Sequence, residues 1–283
     1  MIYFHAPGGR LGNQLFQVAL IETRRRKREL IVTTQMRASK VFLACLRGYK
    51  DFSNPFLVNL ADHIVSRFIV APMIKTGLIS SMIEDGSGVH ETRGALPITY
   101  FRGYFQSPTY FSATCITRKC IRRAFKDSAA RRLEEAQGRR PLFVHVRRSD
   151  YGNYLADGRS SALLPFSYYR AGIERLSHTV QDPHFFLMSD DPDWCESHFS
   201  GIRHKTVSRS SSHEDLALMS LCAGGVVSNS SFAWWGAFLC TRAAPSVAPL
   251  YWFGWRKKEW LPKGIEASGF EFIEVPEGEE DVR

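Results

Sequence analysis

The sequence predicts an α/β protein built from two successive strand–loop–helix series, and three observations carry that prediction. Ile2-Tyr3-Phe4, a glycine-rich loop, an amphipathic stretch over 15–28 and a β-prone run over 30–34 make a β-loop-α-β unit at the amino terminus. A second series opens at Leu142, where short apolar runs alternate with helix-period segments to the end of the chain. Between them a helical pattern stops at Gly138-Arg139-Arg140-Pro141, so domains of 1–138 and 139–283 are expected. With 283 residues, 44% hydrophobic, each half can bury its own core.

The first strand breaks at Ala6-Pro7-Gly8-Gly9-Arg10-Leu11-Gly12-Asn13-Gln14, whose glycines let backbone approach a ligand closely. A glycine loop entering a helix is a ready anion site, yet Gly8-Gly9-x-x-Gly12 is neither a dinucleotide fingerprint nor a P-loop. Spacing alone therefore also permits an ordinary strand–helix turn. Residues 15–28 should be a helix with Leu15, Phe16, Ala19 and Leu20 inward and a basic run at its carboxyl end, where cations complement the macrodipole. Residues 42–46 and 63–70 read as core helix or strand, and 80–94 reads as loop. Residues 100–111 are dense in aromatics. They suit a half-buried strand ending at Pro108, or a sugar-facing wall offering Tyr104 and Gln106. Residues 116–137 alternate apolar and basic positions at helical spacing.

In the second series the stretch Phe143-Val144-His145-Val146-Arg147-Arg148-Ser149-Asp150-Tyr151 commands attention. Two arginines, a serine and an aspartate arrive where a buried strand becomes a loop, which is where open α/β sheets bind ligands. Guanidinium forks there suit phosphate or carboxylate. A loop carrying Asp157, Gly158 and Arg159 follows, then a helix over 166–176 and a strand over 184–189. Asp190-Asp191-Pro192-Asp193 could hold a metal, but Asp-Asp-Pro is also a good helix start, with an aspartate cap and proline in the first turn. The latter is adopted and no metal is expected. A short strand at 205–207 and a helix over 214–223 lead to a buried strand at 225–228. There Asn229-Ser230-Ser231 turns into an aromatic helix, a second phosphate-cradle geometry. The match of Asn229-Ser230-Ser231 to a glycosylation signal is taken as accidental. A last buried strand at 246–249 precedes an aromatic and basic patch over 251–260, read as packing at a domain seam. The acidic end should be a strand followed by a solvated tail.

The net charge of +9, from 37 basic and 28 acidic residues, is spread over scattered clusters with no basic stripe interleaved with aromatics. That excludes a dedicated nucleic-acid binder while leaving room for attraction to an anionic membrane surface. Six cysteines without Cys-x-x-Cys pairing read as reduced, mostly buried thiols. No leader or spanning segment is evident, so a cytoplasmic location, peripheral on the inner membrane face, is the expectation.

Three stretches together resemble the bacterial α-1,2-fucosyltransferase family, glycosyltransferase family 11. They are Gly8 through Gln17, His145 through Tyr151, and Ser228 through Leu239; Gly103-Tyr104-Phe105-Gln106-Ser107 and Pro249-Leu250-Tyr251-Trp252-Phe253 support them in order. The resemblance implies a GT-B-like fold with two Rossmann-like domains facing across a cleft. The first would hold the acceptor and the second GDP-β-L-fucose, a substrate and not a cofactor, with no metal.

Carried over residue by residue, Arg147 matches the arginine gripping the donor β-phosphate, with Arg148 beside it. His145 matches a residue near guanine, and Asp150 the motif carboxylate. Asp215 sits where related fucosyltransferases contact guanine, and Ser230, Ser231 and Phe232 match the phosphate-cradling turn. Asn13, with Gly12 in the same loop, matches an asparagine near the reacting centre; Tyr104, Gln106 and Trp235 are assigned to the acceptor. Asp150, His5 and Asn13 (as a positioner only) are the candidates for handling the acceptor proton, with Asp150 favoured as an orienter of the arginines. Ser149 departs from the family, which has glycine there. The reaction implied is inverting transfer of L-fucose to the 2-hydroxyl of a terminal galactose, the acceptor glycan being a lipid-linked oligosaccharide. A different linkage and a non-catalytic sugar or nucleotide binder are the alternatives.

Overall fold

A computed structural model describes residues 1–5, 8–52, 54, 61–152 and 161–276. The loop carrying Asp157 to Arg159 and the acidic tail lie outside these. The chain divides into two compact units, Met1–Cys120 and Ile121–Arg283. The division falls before the helix expected to close the first domain, not after it at 138. That helix, Arg123–Leu133, belongs to the second unit. Its Arg132 guanidinium donates to Asp215 at 3.0 Å and its Ser128 hydroxyl to Glu214 at 3.1 Å. Gln137 and Gly138, both at positive φ, end it as the sequence indicates.

The first unit holds a six-stranded sheet in the order β3-β2-β1-β6-β4-β5. Its strands are β1 (Ile2–His5), β2 (Ile31–Thr34), β3 (Tyr49–Phe52), β4 (Ser80–Asp85), β5 (Gly88–Thr92) and β6 (Thr99–Arg102). All neighbours are parallel except the β4–β5 hairpin. That hairpin replaces the loop expected over 80–94. Ser81, Met82 and Ile83 pair with β6, while Ser87 donates through its amide and hydroxyl to Asp85 and closes the turn. The glycines there mark a turn and a strand end.

Helix α1 (Leu11–Arg24) starts four residues before the expected position, so Gly12, Asn13 and Gln14 stand in its first turn and not in the loop. Only Gly8 and Gly9 need left-handed backbone, at φ 90° and 111°. A Cβ on Gly9 would also lie 2.8 Å from the Asn13 amide nitrogen. Buried Gln14 fixes the turn by donating to the carbonyls of Gly9 and Gln35 and accepting from the Ser39 amide of α2 (Arg37–Phe42). Ala61–Val70, a wide π-type helical stretch, runs into α3 (Ala71–Lys75).

The second unit carries β7 (Arg140–Val146), β8 (Pro183–Ser189), β9 (Lys205–Val207), β10 (Gly224–Val226), β11 (Ser246–Pro249) and β12 (Phe270–Ile273), all parallel, in the order β12-β11-β10-β7-β8-β9. Counted from β7, that is 3-2-1-4-5-6, the doubly wound dinucleotide-fold order. Its helices are α4 (Arg123–Leu133), α5 (Phe166–Thr179), α6 (Pro192–His198), α7 (Ser212–Met219) and α8 (Ser231–Leu239). Leu142, Val144 and Val146 of β7, Phe185 and Leu187 of β8 and Tyr168 and Leu176 of α5 are buried together. Burying each such side chain contributes about 1.5–3 kcal/mol. The near-continuous burial of β7 and β8 explains why their sequences read as apolar runs, not alternation.

Two units, each with one mainly parallel sheet, realise the expected α/β class. Among the described residues no helix is long and apolar enough to cross a membrane.

Candidate active site

In a 3-2-1-4-5-6 sheet the crevice opens where strand order reverses, here between β7 and β10, at their carboxyl ends. The arginine motif leaves β7 there, and the Asn-Ser-Ser turn leaves β10. The two loops are tied together: His145 Nδ1 lies 2.7 Å from Ser228 Oγ, and the Tyr151 hydroxyl donates to the Asn229 carbonyl at 3.3 Å. The His145 ring also meets Phe232, centroids 5.2 Å apart. Burial, and then the Arg147 charge, push the His145 imidazole down to about 3, so it is neutral at physiological pH.

Ser230 caps α8, its hydroxyl accepting from the Phe232 amide at 3.3 Å. Ser231 opens the helix, whose first turn directs amides and the positive end of the dipole toward the crevice. Asn229 is buried and donates to the Ala162 carbonyl at 2.8 Å, while its side-chain oxygen has no hydrogen-bond partner among the described residues.

Arg147 is held between two carboxylates. One nitrogen lies 2.6–2.7 Å from Asp150 and the other 3.1 Å from Asp190, and the guanidinium carbon is 5.4 Å from the Tyr151 ring centroid. Asp150 is thus paired directly with the arginine. Arg148 lays its guanidinium over the Trp194 ring at 4.1 Å.

Asp190 is the residue that sequence reasoning missed. Asp191 alone caps α6, accepting from the Trp194 amide at 3.1 Å, with Pro192 in the first turn. Asp190 is left at the tip of β8, facing the loop after β7. It accepts from the Arg148 amide at 2.9 Å and the Ser149 hydroxyl at 2.5 Å, besides pairing with Arg147. Burial pushes its carboxyl up, but the Ser149 hydroxyl, the Arg148 amide and the Arg147 charge outweigh burial and hold it below the usual range. Two aspartates in a row were the available signal, since a cap needs only one. Among the described residues, no three His, Cys, Asp or Glu side chains gather as metal ligands.

Asp215 bonds to neither the arginine motif nor the Asn-Ser-Ser turn among its described contacts. Buried on α7, it accepts from Ser208 at 2.5 Å and Arg132 at 3.0 Å, while Arg132 also donates to Ser208 at 2.8 Å. Burial raises its carboxyl despite both partners. Trp235, expected to meet an acceptor, has no accessible surface. Its ring packs on Trp234 and Phe238, so it belongs to the core.

The first unit has its own strand-order reversal, between β1 and β6. His5 ends β1 there, buried, with Nδ1 3.2 Å from Ser66 Oγ and 3.3 Å from the Tyr100 hydroxyl. Asn13, from the first turn of α1, accepts from Gln106 at 2.7 Å. The loop carrying Gln106 is shaped by Glu84, which accepts from the Tyr104 and Phe105 amides at 2.6 and 2.7 Å. Gly103, at φ 150°, permits that approach, for a Cβ there would lie 2.6 Å from Glu84 Cβ. Tyr104 stays 37% exposed, and Gly12 is buried inside α1. Asn13, Gln106 and Tyr104 therefore gather at one sheet end of this unit.

Residues 88–262, more than half of the chain, match the family model for glycosyl transferase family 11. The chain belongs to that family. As a family 11 glycosyltransferase it is 26% identical over 274 residues to an α-1,2-colitosyltransferase of Escherichia coli, a match covering 87% of this chain and 90% of that one. A shorter match to the Escherichia coli O-antigen biosynthesis glycosyltransferase WbnK, 31% identical over 123 residues, spans 42% of this chain and 41% of WbnK. The galactoside α-(1,2)-fucosyltransferase 1 of Oryctolagus cuniculus is 24% identical over 255 residues, 82% of this chain and 62% of the rabbit enzyme. In fold, this family 11 chain is similar to a family 9 glycosyl transferase from Veillonella parvula. The TM-score is 0.50 at 9% identity, over 92% of this chain and 84% of that one.

Proposed function

We propose that the chain transfers L-fucose from GDP-β-L-fucose to the 2-hydroxyl of a terminal galactose, with inversion and without a metal. The observation that carries this reading is that the arginine loop after β7 and the Asn229-Ser230-Ser231 turn after β10 flank the reversal point of the second sheet, tied together by His145 to Ser228 and Tyr151 to Asn229. Negative charge grows on the β-phosphate as the bond from the anomeric carbon to the phosphate oxygen breaks. Arg147, Arg148 and the amides of the α8 first turn take up that charge, each preorganised donor worth ~3 kcal/mol in rate. Neutral His145 and Phe232 line the nucleotide end, and Asp215 is assigned to the guanine side. The acceptor oxygen attacks the opposite face of the anomeric carbon and its proton is lost. Asp150, already engaged with Arg147, is an orienter first; His5 is the alternative base, with Asn13 as a positioner.

The first unit holds the acceptor, through Tyr104 and Gln106, and the second the donor. The acceptor is a galactose-terminated, lipid-linked oligosaccharide, and the enzyme works in the cytoplasm against the inner, anionic face of a membrane. The net charge of +9 supports that placement.

A second reading has one specific support, the 26% identity to a colitosyltransferase over nearly both full lengths. Colitose is the 3-deoxy form of L-fucose, so the same site could take GDP-colitose. The purified enzyme should be given each sugar nucleotide with a terminal β-galactoside in the presence of EDTA, and the product linkage read by NMR. Transfer of fucose to O2 is expected. Transfer of colitose alone, another linkage, or a requirement for metal each overturns a stated part of the proposal. GDP bound with no turnover indicates a binding protein.

A further inference from the structure

Asp190 holds together the loop that leaves β7. Its Oδ1 accepts from the Arg148 amide at 2.9 Å, and its Oδ2 is shared between the Ser149 hydroxyl at 2.5 Å and the Arg147 guanidinium at 3.1 Å. Three consecutive residues thus converge on one carboxylate that is not on their own strand. Arg147 sits with its side chain 13% exposed, and Asp150 occupies its other nitrogen. Both terminal nitrogens of the guanidinium thus face carboxylates with which an anion entering the crevice competes.

We propose that Ser149 is a positioning residue for donor binding: by occupying Asp190 Oδ2 it divides that oxygen between two donors and keeps Arg147 available to a diphosphate. Without the hydroxyl, Oδ2 has Arg147 as its one side-chain donor among the described residues. The guanidinium is then held more tightly by Asp190, and the Arg148–Asp150 turn loses a clamp; both effects weaken anion capture. Ser149 touches neither phosphate nor sugar in this account and acts through Asp190 and Arg147. The inference rests on the assignment of the crevice to a GDP-sugar.

GDP binding to the full chain, measured by calorimetry, tests it independently of turnover, with the melting temperature as a check on folding. Ser149→Ala is expected to weaken GDP about fivefold or more, the effect of one charge-assisted hydrogen bond at a partly exposed site. Ser149→Thr, which keeps the hydroxyl, should bind within about twofold of the parent. Asp190→Asn removes the carboxylate whose hold on Arg147 the hydroxyl moderates, so Ser149→Ala added to it should have no further effect on GDP affinity. GDP affinity unchanged in Ser149→Ala, absent rescue by threonine, or additive losses in the double variant overturns the inference. Failure of the parent chain to bind GDP instead overturns the donor assignment. That outcome is distinct, because it appears before any variant is made.

Discussion

His145 makes the acid stability of the second unit calculable. Its imidazole is buried on β7, the strand between β8 and β10, lies 2.7 Å from the Ser228 hydroxyl, and is pushed down from 6.5 to about 3 because burial and the Arg147 charge both disfavour a second proton. Between those two values the unfolded chain binds a proton that the folded chain refuses. Stability from this group is therefore complete above pH 6.5 and is lost as pH falls toward 3. At about 1.4 kcal/mol per pH unit the total comes to about 4–5 kcal/mol, an order-of-magnitude figure. His145→Asn keeps a polar atom near Ser228 but cannot titrate in this range. The stability difference between parent and variant, from urea denaturation at pH 7, 6, 5 and 4, should stay level above pH 7 and then shift in favour of the variant by roughly 1 kcal/mol per unit. A difference that stays flat from pH 7 to 4 would falsify the account, since the native histidine would then be accepting its proton as readily as the unfolded one.

Arg147→Ala should reduce kcat by about a hundredfold or more while GDP affinity falls less, as expected for a donor aimed at charge that develops in the transition state; steady-state kinetics with parallel calorimetry separates the two. Arg132→Ala strands Asp215 as a buried carboxylate and should cost about 3 kcal/mol at pH 8. Because the Asp215 carboxyl is already raised, its charge is a native-state burden relieved as pH falls, so the loss measured at pH 5 should be smaller. Trp235→Phe should leave the acceptor KM unchanged, whereas Trp235→Ala should cost about 3–5 kcal/mol of stability. Tyr104→Ala should do the reverse, raising acceptor KM with the melting temperature unmoved.

How much of this was legible beforehand depended on whether the information was local. The end of β7 could be read because burial and charge meet there within four residues, and the start of α8 because Ser230 is a cap residue standing directly before the helix. The π-type stretch of Ala61–Val70 announced an apolar segment, but not that Ile64 and Phe68 would be exposed at 47% and 67%. The role of Asp190 could not be read, because it depends on β8 lying beside β7, a fact of strand order that no local pattern contains. The hairpin of β4 and β5 was lost among serines and glycines, for Ser80 and Ser81 pair with β6, beyond the hairpin, and Gly88 pairs back onto Asp85. Trp235 was misassigned because aromatic faces serve sugars and cores alike, and only neighbours such as Phe238 decide between them.

The link from Arg132 through Ser208 to Asp215 has a practical reach beyond stability. It fastens a helix that precedes the first strand of the second sheet onto a helix that follows the third, so the unit is closed by a segment preceding its own sheet. A swap of second units between related enzymes made at 138 would cut through that closure, leaving Asp215 facing a foreign helix. A junction at 120 would carry the fastening along intact. Chimaeras that exchange this unit should be joined there.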